Sequence, residues 1–294
     1  MNVVNRLKST VCKIPVIRNL LETQRAVECL RRDISVIRGF LMSSFPMTVG
    51  EHKMFLDPRD KGVTSELSLY GLMEAFETEL VKKEIKKGDC VLDIGANIGY
   101  YTLIFAKLVG DEGKVFAFEP DPDSFALLKK NVEINGYRNV TLIQKAVSNR
   151  TEKAKLYLCG DNFADHRIYD SHDGRNSIGI ETIRLDDYFK DPGQKIGFIK
   201  MDIQGSEFLA AEGMLDLLDR NRSTKIITEY WPVGIERCGR DAGKYIELFR
   251  SRGFTLYHID YYKNKIEPLN IPEILKKYTS KNENFTNLFC VREK

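Results

Sequence analysis

CVLDIGANIGYYTLIFAKL, residues 90–108, passes from an apolar run through two glycines, Gly95 and Gly99, into a helical pattern. A short apolar segment closed by glycine and followed by apolar residues at helical spacing reads as a strand, a tight turn and a helix. The same grammar continues downstream. KVFAF, VTLIQKAV, GFIKM and KIITEY alternate with the helical segments PDSFALLKKNVEIN, SEFLAAEGMLDLLD and AGKYIELFRSRG, the pattern of parallel β-α-β units. Near-continuous hydrophobicity predicts an α/β fold whose strands are buried on both faces. FTLYHI and FTNLFCV are placed as a closing strand pair, with PEILKKY between them.

In an open parallel sheet, ligands bind beyond the carboxyl ends of the strands, and the first strand-to-helix turn carries much of the contact. Gly95 permits a backbone conformation that a side chain blocks, and Gly99 lets backbone and ligand approach closely. A helix starting near Ile98 presents free N–H groups to a carboxylate or phosphate. A nicotinamide or flavin fingerprint requires G-x-G-x-x-G, but Asn97 and Tyr100 occupy its second and third glycine positions. A P-loop is absent from the chain. The next strand ends in FEPDP, which places Glu119 where a carboxylate can accept hydrogen bonds from both ribose hydroxyls. S-adenosylmethionine satisfies each feature: a ribose for Glu119, a carboxylate for the turn, and cationic groups that tolerate Asp93.

The chain has 294 residues, 43% of them hydrophobic, enough for a substantial core and one or two domains. A formal charge of +3, set against 45 basic and 42 acidic residues, offers no concentrated positive field and argues against a nucleic-acid partner. The cysteines (Cys12, Cys29, Cys90, Cys159, Cys238, Cys290) are scattered without metal-ligand spacing, so free thiols in a reducing, cytoplasmic compartment are expected. No segment has the apolar length of a membrane-spanning helix or a signal peptide.

Two units are expected: a helical N-terminal segment over 1–46 and a main domain over 47–294. From Pro15, the residues Val16, Leu20, Val27, Leu30, Ile34, Ile37 and Leu41 follow a 3-4 spacing that predicts one long amphipathic helix ending before Pro46. The stripe fits either self-association into a homo-oligomer through residues 16–41 or a helix laid across its own body. MTVGEHKMFLDP reads as a short strand pair, and SELSLYGLMEAFETELVKKEI as a helix stopping at Lys87-Gly88. The stretch from KAKLYLCGDN to ETIRLDDYF adds two β-like pieces and a polar loop, an insert expected over the ligand edge.

VLDIGANIGYYTL, VFAFEPDPDSFALLKKNVEIN, TIRLDDYF and IGFIKMDIQGSEFLAAEGM, in this order, resemble the FkbM family of methyltransferases over roughly residues 66 to 230. Within K-x-D-[IV]-x-G-x-E, Gln204 stands where an acidic residue is common in relatives. The resemblance implies a seven-stranded Rossmann-like class I methyltransferase sheet with its last strand antiparallel. It also implies methyl transfer from S-adenosylmethionine to a hydroxyl oxygen of a polyketide-type natural product, sugar, glycan or glycolipid. By the same resemblance Asp93, Gly95, Asn97 and Gly99 line the cofactor's methionine part and Glu119 its ribose. The adenine falls near residues 144–147, with the Ala146 backbone as its contact.

Methyl transfer to an alcohol needs an aligned acceptor oxygen and a group to take its proton. Asp202 at the end of FIKMD, Glu229 at the end of IITE, and His166 in the insert are the candidates, and the choice among them stays open. Asp202 could instead cap the following helix. Glu207 fits capping or a salt bridge with Lys200 as well as catalysis. Arg167 offers a planar fork to substrate, or holds Asp165 or Asp170. Trp231 could pack on a sugar face or close the core edge. Tyr70, Glu74 and Glu77 fall roughly on one face of their helix. Asp202, Glu207 and Glu229 also supply oxygen ligands for a divalent metal, a dependence left open. A cofactor-binding regulatory or scaffold protein without turnover is the alternative function, which loss of Asp202 and Glu229 would have favoured; both are present.

Overall fold

The computed structural model describes residues 15–292; Cys12 and the side chain of Val16 lie outside the described residues. The strands are β1 (Met47–Val49), β2 (His52–Met54), β3 (Cys90–Ile94), β4 (Lys114–Phe118), β5 (Val140–Ile143), β6 (Ala146–Val147), β7 (Lys153–Tyr157), β8 (Ser177–Ile183), β9 (Phe198–Met201), β10 (Lys225–Tyr230), β11 (Thr255–Asp260), β12 (Lys265–Pro268) and β13 (Thr286–Val291). The main sheet has eight strands in the order β12-β11-β13-β10-β9-β3-β4-β5. From β10 to β5 every pairing is parallel, and β13 enters antiparallel between β10 and β11. Seven of these strands are those expected, and β12 adds a hairpin edge beyond them.

The central strands are buried on both faces, as their composition requires. Period-two alternation divides their side chains between two cores. Val91, Val115, Ala117 and Phe198 pack with Leu103 and Phe105 of the helix Tyr100–Val109. Leu92, Ile94, Phe116 and Ile199 pack on the other face with Leu217, Tyr245 and Phe249. Asp93 and Lys200, which are register partners, share the first of these faces. Beyond β4, Asp121 caps the helix Pro122–Ile134 by accepting the Ser124 amide, with proline at its first position.

Three expectations change in detail. VTLIQKAV is not one strand: it leaves the main sheet after Ile143, and β6 joins β8 and β7 in a separate three-stranded sheet, the predicted insert. The helix expected before β3 is two helices, Val63–Tyr70 and Ala75–Glu84. Left-handed residues Gly71 and Glu74 break it, so Tyr70 is exposed while Glu77 is fully buried. The long N-terminal helix spans Pro15–Ser44. Its stripe is not laid across the body: Leu20, Val27, Leu30, Ile34, Ile37 and Leu41 are 42–66% exposed, and near its end Met42 is buried.

Candidate active site

A cleft opens at the carboxyl ends of β3, β4 and β9. One end is formed by Met73, Asp93, Tyr100, Tyr101, Lys200 and Asp202. The other is walled by Phe118, Glu119, Ala146, Val147, Leu156 and Phe163, with His166 above. Beyond one sheet edge this is the standard place for a ligand in an open α/β sheet.

The turn after β3 is tighter than the sequence conveys. A Cβ on Gly95 would lie 2.0 Å from the Asp202 carbonyl oxygen, so glycine is required for the turns after β3 and β9 to meet. Gly99 does not line the cleft. Its absent Cβ makes room for Leu128, at 2.7 Å, so it serves helix packing rather than ligand approach. Asn97 is left-handed at φ 48°, and its amide donates to Glu119 Oε2 at 2.8 Å. The Asp121 amide donates to Glu119 Oε1 at 2.8 Å.

Within the turn itself the backbone amides are taken, and the helix that follows begins only at Tyr100. Gly95 and Ala96 donate to the Phe118 carbonyl, Ile98 to Asn97 Oδ1, and Gly99 to Ala96, so each amide from Gly95 to Gly99 is already engaged. Burial pushes Glu119 up to about 8 and Asp93 up to about 6. Both carboxyl groups are therefore poised to gain from hydroxyl donors or a cation.

At the end of β9, Asp202 is partly exposed to the cleft, and its Oδ1 accepts the Gln204 amide at 3.0 Å. The same Gln204 nitrogen stands 3.4 and 3.5 Å from the Glu229 oxygens, and Gln204 is left-handed. Glu229 lies behind this amide, buried and outside the lining. Burial and the neighbouring Asp202 raise it well above the usual carboxylate range. Glu207 does not pair with Lys200. Its oxygens accept the Ile203 and Gly205 amides at 2.8 and 2.9 Å, closing the turn, and burial holds it at about 8. Asp202 is not a helix cap, since Ser206 occupies that position. Asp202, Glu207 and Glu229 do converge, with ligand oxygens within 4.8 Å of one another.

The insert roofs the cleft. The Phe163 amide donates to Asp60 Oδ1 and the Lys61 amide to the Asp161 carbonyl, tying the loop to the segment before Val63. His166 Nδ1 accepts the Cys159 amide at 3.1 Å, so in the neutral ring the proton sits on Nε2, and burial lowers its pKa. The charges acting on it include Asp121 and Asp60, at the Glu119 end of the cleft. Arg167 and Trp231 are buried outside the lining. The Arg167 guanidinium donates to Asp165 and stacks 4.8 Å from the Trp231 ring, which makes both a support for the roof. Ala146 lies on the cleft wall, as expected. Lys200, read from the sequence only as a possible partner of Glu207, lines the cleft; its position two residues before Asp202 on the same strand face was the available signal.

Strand order, the antiparallel β13 and this cleft define a class I S-adenosylmethionine-dependent methyltransferase. The cleft fits the cofactor: the buried carboxylate Glu119 just after β4, apolar walls beside it, and the acidic groups Asp93 and Asp202 for a cationic centre. The methyltransferase FkbM domain matches residues 93–256, more than half of the chain, and the protein belongs to that family. It is 28% identical over 202 residues to the 31-O-demethyl-FK506 methyltransferase FkbM of Streptomyces tacrolimicus, covering 59% of this chain and 75% of that one. It is 27% identical over 216 residues to methyltransferase sdnD of Sordaria araneosa, covering 58% and 81%. A SAM-dependent methyltransferase of Aquifex aeolicus superposes with a TM-score of 0.41 at 14% identity, covering 78% of this chain and 93% of that one. Among the described residues no helix is long and apolar enough to cross a membrane, and the described cysteines are free thiols.

Proposed function

We propose that the protein methylates a hydroxyl oxygen of a small-molecule acceptor, a sugar, glycan or polyketide-type natural product, in a cytoplasmic setting. Bound S-adenosylmethionine supplies an electrophilic methyl group. The observation that carries the reading is Asp202, a cleft-lining carboxylate held in one orientation by the Gln204 amide. Asp202 takes the acceptor's proton, while Glu229, whose pKa burial raises, lies on the far side of Gln204. His166 serves the ribose end of the cofactor instead of acting as base. The relative named for 31-O-demethyl-FK506 supports oxygen as the methylated atom. The reading needs no metal, because the Gln204 nitrogen lies between Asp202 and Glu229.

Replacement of Asp202 by Asn keeps the shape and removes the base. Turnover on a hydroxylated acceptor should fall roughly 10²–10⁴-fold, with S-adenosylhomocysteine affinity within about threefold of wild type by calorimetry. Unchanged turnover would move the base elsewhere.

We also propose that the exposed N-terminal stripe is covered by a second copy of the chain. Val27 and Ile34 alternate with Leu30 and Ile37 at the inner positions of a heptad, a composition that suits a two-stranded coil. Sedimentation of the protein with and without residues 1–45 should give a dimer and a monomer; equal masses per chain would remove this arrangement.

A further inference from the structure

Lys200 is buried at the Asp202 end of the cleft, beneath the Tyr101 ring at 4.4 Å. Its nearest carboxylate oxygens are those of Glu77 at 3.4 Å, Asp202 at 3.5 Å and Glu74 at 3.9 Å. All three are longer than the roughly 2.7–2.9 Å of an ammonium–carboxylate hydrogen bond. Burial alone pulls Lys200 down, but Glu77, Glu74 and Asp202 outweigh it and raise it well above its ordinary value. The Lys200 ammonium thus faces three carboxylates, none of them closer than 3.4 Å. Of the other cleft-lining cations, Lys145 is paired with Glu181 at 2.7 Å, and His166 is biased towards neutrality.

The cofactor carries an amino acid with opposite charges, and the turn that was expected to take its carboxylate has no amide left to offer between Gly95 and Gly99. We infer that Lys200 binds the methionyl carboxylate of the cofactor, while Asp93, on the same face of the sheet, receives its α-ammonium group and leaves Asp202 to the acceptor. The strand register places Asp93 directly beside Lys200, and Asp202 follows two residues later, so one cation and two anions lie in a row on a rigid support. Glu77 sets the ammonium in place from behind: its other oxygen is fixed by the Tyr261 hydroxyl at 2.6 Å and the Asn287 amide at 2.7 Å. The assignment rests on the cofactor reading above and adds to it a specific selectivity: ligands are read as zwitterions.

The test compares S-adenosylhomocysteine with its decarboxylated analogue, S-adenosyl-3-thiopropylamine, by isothermal titration. Wild type should prefer the carboxylated ligand by roughly 10–100-fold, the worth of a hydrogen bond between charged groups. Lys200→Met should erase that preference while binding the analogue as wild type does, which also shows that the variant is folded. A Lys200→Met protein that keeps the preference overturns the assignment and leaves the Tyr100 and Tyr101 amides at the helix start as the carboxylate's site. Equal wild-type binding of the two ligands overturns it as well. If the variant does not fold, a crystal structure of the wild-type complex decides between carboxylate on Lys200 and carboxylate on those amides. Wild type binding neither compound is a different result, because it removes the cofactor reading and this assignment together.

Discussion

Glu119 Oε2 accepts the Asn97 amide at 2.8 Å, so the carboxylate that ends β4 also closes the glycine turn that ends β3. On the proposed cofactor reading, ribose recognition and turn geometry share this one side chain. Replacing Glu119 by Gln puts an NH₂ group against one of two backbone donors, Asn97 or Asp121, and removes a charged acceptor for the sugar. S-adenosylhomocysteine affinity should fall by about 1.5–3 kcal/mol, roughly 10–150-fold, by calorimetry. Binding should also release protons near neutral pH in wild type, because hydroxyl donors draw down a carboxyl that burial has pushed up to about 8. Heats that are independent of buffer ionisation enthalpy would contradict this.

The strands and the place of Glu119 after β4 were legible because a buried parallel sheet writes its period and its carboxyl ends directly into the chain. What lay hidden depends on partners distant in sequence. Gly99 reads as a ligand glycine, yet the atom it avoids belongs to Leu128. Arg167 and Trp231 read equally as substrate contacts or as supports, and only the folded chain shows Arg167 on Asp165 and over the Trp231 ring. The break at Gly71 was marked by its glycine, a usual left-handed helix terminus, whereas the left-handed Glu74 has no such mark.

His166 separates two roles by kinetics. A base must offer a lone pair, and its Nδ1 pair is spent on the Cys159 amide while Nε2 holds the proton. His166→Ala should therefore raise the cofactor KM by roughly 3–10-fold, the range of one neutral hydrogen bond, and leave kcat within about threefold. A 100-fold loss of kcat with unchanged KM would restore it as the base.

The convergence of Asp202, Glu207 and Glu229 invites a divalent ion, but the local bonding is already complete without one. Glu207 is committed to the Ile203 and Gly205 amides, and the Gln204 nitrogen stands between the other two. Dialysis against a chelator should leave turnover within about twofold, and Mg²⁺ or Mn²⁺ should not raise it. Activity lost to the chelator and restored by one of these ions would place the metal here.

Stability should fall with pH across the neutral range, in contrast to proteins held by ionised carboxylates. Burial raises Glu119 and Glu207 to about 8 and Asp93 to about 6, and lifts Glu229 as well, against an ordinary value near 4.5 for glutamate. Between those limits the folded chain binds more protons than the unfolded chain, so the unfolding free energy declines as pH rises. The stabilisation is complete below about pH 4.5 and is lost through pH 8, with other groups setting the acid limit. One such carboxyl, raised to about 8, accounts for roughly 3 kcal/mol between pH 5.5 and 8.5, which by itself lowers Tm by roughly 5–10 °C. Scanning calorimetry of the ligand-free protein at pH 5.5 and 8.5 measures it. S-adenosylmethionine at saturating concentration should narrow the difference, since its positive charge and ribose hydroxyls favour the ionised carboxylates. A Tm that rises between these two pH values would show that Glu119 and Glu207 remain ionised in the folded chain.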